Sequence, residues 1–376
     1  MASSRRNFIL GAGGTLALVA AAGTWRVMRM PQTATAPWKL EPKPLADVRL
    51  DAFRHAILAP NPHNRQPWLI RLDGNDKAIV ACNLDRRLPD TDPFDRQILI
   101  GFGTFLELAR IAAAERGVRL DITPFPEGLP LSRLDARPVA HVAFASDASV
   151  RPDPLFGAIT ARRTNREVYS ARLPSADALA ALVAEGVNAS ADANLMSRLR
   201  TLAVAGITRE MMLDRTNMES VRLMRIGHDE IDANPDGISL SGPMIEATGL
   251  LGMTSRSAIA DQQSTAFKIG LDGLVKTYGS VPAVIWIATP TNDRAAQLEA
   301  GRLYARANLR ATALGLAMHP MSQTLQEYPE MAAHFATVHK TLGVLGGARI
   351  QMLARVGYAP PVDPAPRWPL RSHIVA

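Results

Sequence analysis

Arg162-Arg163-Thr164-Asn165-Arg166 sets three guanidinium groups and a hydroxyl within five residues, directly after the apolar run at 155–159. A guanidinium forks onto a phosphate through two parallel charge-assisted hydrogen bonds, a geometry that the point charge of lysine lacks. At the end of a short helix, which the apolar run predicts, such a cluster would anchor a dianionic phosphate tail. The same residues also fit a solvated basic turn, since short basic motifs recur by chance. What the rest of the chain offers around the cluster decides between the two.

The chain has 376 residues, 47% of them hydrophobic and 20% charged, which is enough for a large core or two subdomains. Its formal net charge is +7, but part of the excess sits in Arg5, Arg6, Arg26 and Arg29. No basic stripe interleaved with aromatics follows, so nucleic acid is not an expected partner. Cys82 is the only cysteine, which excludes an intrachain disulfide, a CxxC redox pair and a cysteine-rich zinc site. His63, His228 and His319 are scattered, without the spacing of metal ligands, so no metal is expected.

Ser4-Arg5-Arg6-Asn7-Phe8-Ile9-Leu10, with the apolar run that continues to Gly23, resembles a twin-arginine signal. Residues 1–30 are therefore expected to address the protein to the twin-arginine export machinery and to the periplasm. Ala34-Thr35-Ala36 has the small-x-small form of a cleavage site, but Pro37 follows it. A retained membrane tether through residues 8–25 thus stands beside cleavage. Gly11-Ala12-Gly13-Gly14 is not a dinucleotide fingerprint, because no strand precedes it. The twin-arginine route carries folded proteins, often with a cofactor already inserted, and so hints at a cofactor here.

Residues 31–44, rich in Pro, Thr and Ala, read as an extended linker. Two stretches then follow, at 45–150 and 151–376. The first opens with an amphipathic helix over 45–58 and a proline-rich loop at 59–68. Strands follow at 69–72 and 78–82, a long apolar helix over 96–116, and strands at 118–122 and 139–144. In the second stretch Ser175 is placed to cap a helix, and 195–226 is mostly helical. A loop at 232–242 is long enough for a lid, and helices follow over 255–274. A buried strand at 283–288, a helix over 294–314, a short extended piece at 316–319, a strand at 350–356 and a loop-like tail complete the chain. Helices and strands mix without a βαβ rhythm, which predicts an α+β fold.

These segments carry a resemblance. Ala59-Pro60-x-x-x-Asn64-x-Gln66-Pro67-Trp68 is similar to the A-P-S-x-x-N-x-Q-P-W loop of the FMN-dependent nitroreductase family. Arg162-Arg163-Thr164-x-Arg166 is similar to its arginine segment, and Arg355-Val356-Gly357-Tyr358 with Arg367 to its C-terminal strand and basic tail. Residues 315–323, ending Pro320-Met321-Ser322-Gln323, take the place of its loop beside the flavin ring. In ordinary members the arginine segment comes first; here the loop precedes it. Because nitroreductases are intertwined homodimers that share each flavin site between subunits, the inverted order resembles the fused, Acg-type proteins. It implies a nitroreductase-like fold of two tandem halves, an internal pseudo-dimer that needs no second chain. It also implies one FMN site, since Ala189-Ser190-Ala191-Asp192-Ala193-Asn194, where a second loop would fall, has no Gln-Pro-Trp after it.

By that resemblance Arg162, Thr164 and Arg166, helped by Arg163, would hold the FMN phosphate and ribityl hydroxyls, and Arg367 would add a cation. Pro60, Asn61 and Asn64, with Gln66, would approach the ring from the first half. Pro320, Met321, Ser322 and Gln323 would border its edge, where N–H donors stabilise negative charge. No side chain is assigned as a general acid or base. Asn64 and Gln66 also fit turn residues, Met321 a core residue, Arg367 a surface arginine and Trp68 a core aromatic. The expected activity is hydride or electron transfer through flavin N5 to a small-molecule acceptor. Two other readings stand beside it: a lidded protein that stores flavin, with residues 232–253 as the lid, and a scaffold without flavin.

Overall fold

The computed structural model describes residues 30–130, 132–250 and 252–376. The expected twin-arginine signal, apart from Met30, and the tether at 8–25 lie outside the described residues. Helix α1 (Val48–Ala56) opens the first half, and the Asp47 side chain caps it by accepting from the Arg49 amide. Strands β1 (Trp68–Asp73) and β2 (Lys77–Cys82) pair as a hairpin whose alternation puts Trp68, Ile70, Ala78, Val80 and Cys82 inside. Helix α2 (Arg96–Ala114) is buried along nearly its whole length, which is why its sequence is apolar on every face. Strands β3 (Val118–Pro124) and β4 (Ala140–Ser146) complete this part.

The apolar run before the arginine cluster forms only a 3-10 turn, Phe156–Ala158, where a helix was expected. Pro152, Pro154 and Gly157 leave too few residues to nucleate one. Helix α3 (Ala176–Val183) starts on Ser175, whose side chain accepts from the Ala178 amide. Strand β5 (Asn188–Ser190) and helices α4 (Ala193–Met212) and α5 (Asp214–Leu223) follow. The stretch read as one helical span breaks at Leu213, whose backbone is extended, and ends in β6 (Met224–Ile226).

After helix α6 (Gly227–Ala233), whose last two residues open the expected lid at 232–253, the lid holds strand β7 (Ile238–Leu240), which pairs in parallel with β6, and helix α7 (Pro243–Leu250). Helices α8 (Arg256–Ala260) and α9 (Thr265–Gly279) lead to strand β8 (Ala283–Thr289) and helix α10 (Arg294–Ala313). Strand β9 (Ala317–Pro320), helix α11 (Ala332–Thr341), strand β10 (Arg349–Gly357) and strand β11 (Ile374–Val375) end the chain.

Besides the β6-β7 pair, two larger sheets result, with strand orders β11-β1-β2-β4-β3 and β5-β8-β10-β9. The tail read as loop returns to the first sheet, where β11 pairs in parallel with β1. Helices α2 and α10 cross between the sheets at two glycines. A Cβ on Gly103 would lie 2.1 Å from the Leu298 carbonyl oxygen, and one on Gly301 2.1 Å from that of Ile100. Only bare backbones fit there. Arg306 of α10 bridges Glu107 of α2 at 3.1 Å, Asp153 at 2.7 Å and Glu185 at 2.9 Å, tying the crossing to the chain just before the arginine cluster.

A candidate cofactor cleft between the halves

The arginine segment runs beside β9, where the Asn165 amide donates to the Met318 carbonyl at 3.1 Å. Arg162 is 1% exposed. One of its terminal nitrogens, Nη2, donates to the Leu58 carbonyl at 2.9 Å, while Nε and Nη1 are buried without a partner. Burial pushes its guanidinium down to about 10. The Arg166 guanidinium has no hydrogen-bond or ion-pair partner among the described residues, and burial lowers it as well. Its surface is nevertheless open to solvent, a combination that marks a side chain lining a cleft. Arg163 donates to the Thr160 and Arg162 carbonyls, each at 2.8 Å, and Thr164 is half-buried.

The loop of the first half comes to meet this segment. Thr104 of α2 donates to the Pro60 carbonyl at 2.7 Å, and Gly101 leaves room for Asn61 and Pro62 on the helix backbone. Asn61 closes the loop on itself, accepting from the Gln66 amide at 2.7 Å. His63, Asn64 and Gln66 have φ of 45°, 51° and 48°, three left-handed non-glycine residues in one turn. Such strain persists only where surrounding contacts hold it. The Gln66 side chain supplies two of them, donating to the Pro235 carbonyl at 2.8 Å and accepting from the Trp368 amide at 2.9 Å. Burial, and then the charges of Arg166 and Arg65, push the His63 imidazole down to about 4, so His63 and Arg166 share the cleft.

Arg367 has a different role from the phosphate ligand expected. Its five N–H groups go to the carbonyls of Ile57, Leu58, Ala59 and Pro366 and to Asn64 Oδ1. No donor is left for a phosphate, so Arg367 binds the tail to the C-terminal end of α1, where carbonyl dipoles favour a cation. The linker expected at 31–44 is likewise docked, because Trp38 is an anchor. Its indole N–H donates to the Ala365 carbonyl at 2.7 Å. The ring lies 5.5, 4.7 and 5.2 Å from the guanidinium carbons of Arg162, Arg163 and Arg367. This strap also joins the lid, since Asp232 accepts from the Gln32 and Ala34 amides.

On the β9 side, Pro320 pairs with Ala354, and Ser322 opens a 3-10 turn. Met321 does not offer a donor to a ring edge: its side chain lies in a core cluster and its amide donates to the Leu353 carbonyl at 2.7 Å. Gln323 donates to Glu210 at 3.3 Å and keeps a buried, unpartnered Oε1. Arg355, of β10, clamps the arginine segment to the sheet through the carbonyls of Glu167 and Thr277, each at 2.8 Å, and lies 3.8 Å from the Tyr169 ring.

The structure thus brings together Arg162, Arg163, Thr164, Arg166, Pro60, Asn61 and Asn64, with Gln66 behind the loop. Ser322 and Gln323 lie in the turn just after β9, the strand beside which the arginine segment runs. Sequence reasoning missed Trp38, Tyr304, Asn308 and Glu210, whose side chains resemble ordinary helix or linker residues. A cation cluster with a carboxylate, Asp363, at its Arg163 end alone is the result. Arg162, Arg166 and Arg367 feel only other cations and tyrosines, and Arg163 feels Asp363. Two surface hollows, one lined by Leu69 and Arg71 and the other by Phe335 and His339, lie elsewhere. Unpaired, buried guanidinium N–H groups facing a strained loop are a donor set that fits the phosphate end of a flavin nucleotide.

The comparisons agree on the class. The sequence model described as the nitroreductase family matches residues 159–358, more than half of the chain, and the chain belongs to that family. Rv3131 of Mycobacterium tuberculosis H37Rv, provisionally named an NAD(P)H nitroreductase, is 28% identical over 333 residues, covering 84% of this chain and 87% of its own. The protein acg of the same organism, named likewise, is 27% identical over 330 residues, covering 86% and 93%. Among solved structures, a provisionally named nitroreductase of Anabaena variabilis aligns at 11% identity and a TM-score of 0.45, over 87% of this chain and 91% of that one. An FMN-bound nitroreductase of Desulfitobacterium hafniense aligns at 16% identity and a TM-score of 0.35, over 60% and 98%.

Proposed function

We propose that this chain is an FMN-dependent oxidoreductase that holds one flavin mononucleotide between its two halves. The observation that carries the reading is the cation cluster. Arg166, open to solvent, and Arg162, fully enclosed, have N–H groups to spare and no carboxylate acting on them. Leaving such charge unpaired costs about 3–5 kcal/mol, which a phosphate dianion would relieve. Arg162 and Arg166 would take the phosphate and Thr164 a neighbouring hydroxyl, while Arg163 and Arg367 would add field rather than contacts. Pro60, Asn61 and Asn64 would meet the ring from the first half, and Ser322 and Gln323 from the second. A bound flavin would supply the centre that takes and gives hydride; the protein's part is to bind, orient and exclude water.

The electron donor follows from location. Relatives are named for NAD(P)H; a chain exported by the twin-arginine route to the periplasm, as we propose, would draw on a quinol or a protein instead. The lid favours a second reading, flavin storage. Pro235 O accepts from Gln66, the Gly237 amide donates to the Asn64 carbonyl at 3.3 Å, and Asp236 pairs with Arg65, Arg86 and Arg225. A closed lid would keep donors away.

The test is the visible spectrum of the purified full chain, before and after anaerobic NADPH. Flavin bands that bleach support the oxidoreductase, and bands that persist with NADPH and with a quinol support storage. No flavin in a chain purified after cytoplasmic expression, and none taken up on adding FMN, would overturn the reading.

A further inference from the structure

We infer that Tyr304 and Asn308, on the inner face of α10, form a hydrogen-bonding pair that reads the ribityl hydroxyls of the flavin nucleotide. This rests on the reading of the cleft as an FMN site. The two side chains stand one turn apart on one helix face, a turn beyond the Gly301 crossing. They are 2% and 1% exposed, and the Tyr304 hydroxyl and the Asn308 amide are buried facing each other, with no partner outside the pair. Arg162 adds two buried atoms without a partner, and its charge and that of Arg166 both reach the Tyr304 phenol. Buried polar groups left short of partners in one neighbourhood are costly, at about 1–3 kcal/mol each, and native proteins keep such sets chiefly for a ligand or for water.

The chemistry of the set selects the ligand group. A phosphate only accepts hydrogen bonds, so it suits the guanidiniums but would face the Asn308 carbonyl oxygen unfavourably. Hydroxyls both donate and accept. They match a phenol, an amide donor and an amide acceptor together, and in a flavin nucleotide they lie directly between ring and phosphate.

The experiment uses the full chain and titrates FMN and riboflavin into wild type, Tyr304→Phe and Asn308→Leu, with thermal unfolding of each flavin-free protein. Each substitution should weaken FMN and riboflavin by the same factor, about three- to tenfold. Thermal unfolding of each flavin-free variant checks that the fold is kept. Unchanged affinity for both flavins would overturn the inference, pointing to a buried water. A loss confined to FMN would overturn it too, since that marks a phosphate contact. Wild-type protein that binds neither flavin would instead overturn the FMN reading itself.

Discussion

Arg162 and Arg367 donate to the same carbonyl, that of Leu58, at 2.9 and 3.2 Å, yet they do opposite work. Arg367 has spent every N–H on the fold, while Arg162 keeps two nitrogens, Nε and Nη1, without a partner. Arg367→Ala should therefore lower the melting temperature by removing five bonds, whereas the double variant Arg162→Ala, Arg166→Ala should keep its fold and lose FMN. Full FMN occupancy in the double variant, read by absorbance, would count against the site. His63 makes a pH prediction. Its imidazole is held at about 4 when folded, below the ordinary value near 6.5. The unfolded chain therefore binds the extra proton first, and stability present above pH 6.5 should drain away as pH falls toward 4. His63→Gln should flatten part of that fall in thermal melts. At this scale the sequence carried the arginine cluster and the Pro60–Gln66 loop clearly, because their residue types are chemically unusual. It could not show that Arg367 was fully occupied or that the Met321 amide was taken, since both depend on partners far along the chain.

Helices α2 and α10 are the elements on which the two halves turn. Their backbones touch at Gly103 and Gly301, so even one added carbon has nowhere to go. Gly301→Ala should cost about 1–3 kcal/mol, and Gly301→Leu more, in denaturant unfolding. Unchanged stability in Gly301→Leu would mean that the crossing yields freely. Both helices were legible as long apolar or Ala-rich stretches, and the strands at 69–72, 78–82 and 283–288 as short apolar runs. The strap at 31–44 was not, because its proline-rich composition masks a single anchoring tryptophan. Nor were β6 and its partner β7 in the lid: three-residue strands leave no period to read.

For the molecule as a whole, a fused pair of halves should behave as a monomer with one flavin per chain, which sedimentation with absorbance at flavin and protein wavelengths would check. Two flavins per chain would require a second site that the Ala189–Asn194 stretch does not furnish. The 232–242 segment is fastened by Asp236, which holds Arg65, Arg86 and Arg225 at 3.5, 3.6 and 2.6 Å. Asp236→Ala would leave three cations facing one another, so limited proteolysis should cut within 234–242 faster than in wild type. The tandem arrangement was readable from motif order alone. The parallel return of the last strand to β1 was not, since two residues far from any motif carry it.

Trp38 has one more consequence. It is one of five tryptophans, and its indole is wedged among three guanidiniums. Those cations polarise the ring's excited state, so any anion that neutralises them must alter its emission. The chain thereby carries its own fluorescent gauge of cleft occupancy. The difference between wild type and Trp38→Phe would isolate that signal from the other four, in real time and without a label.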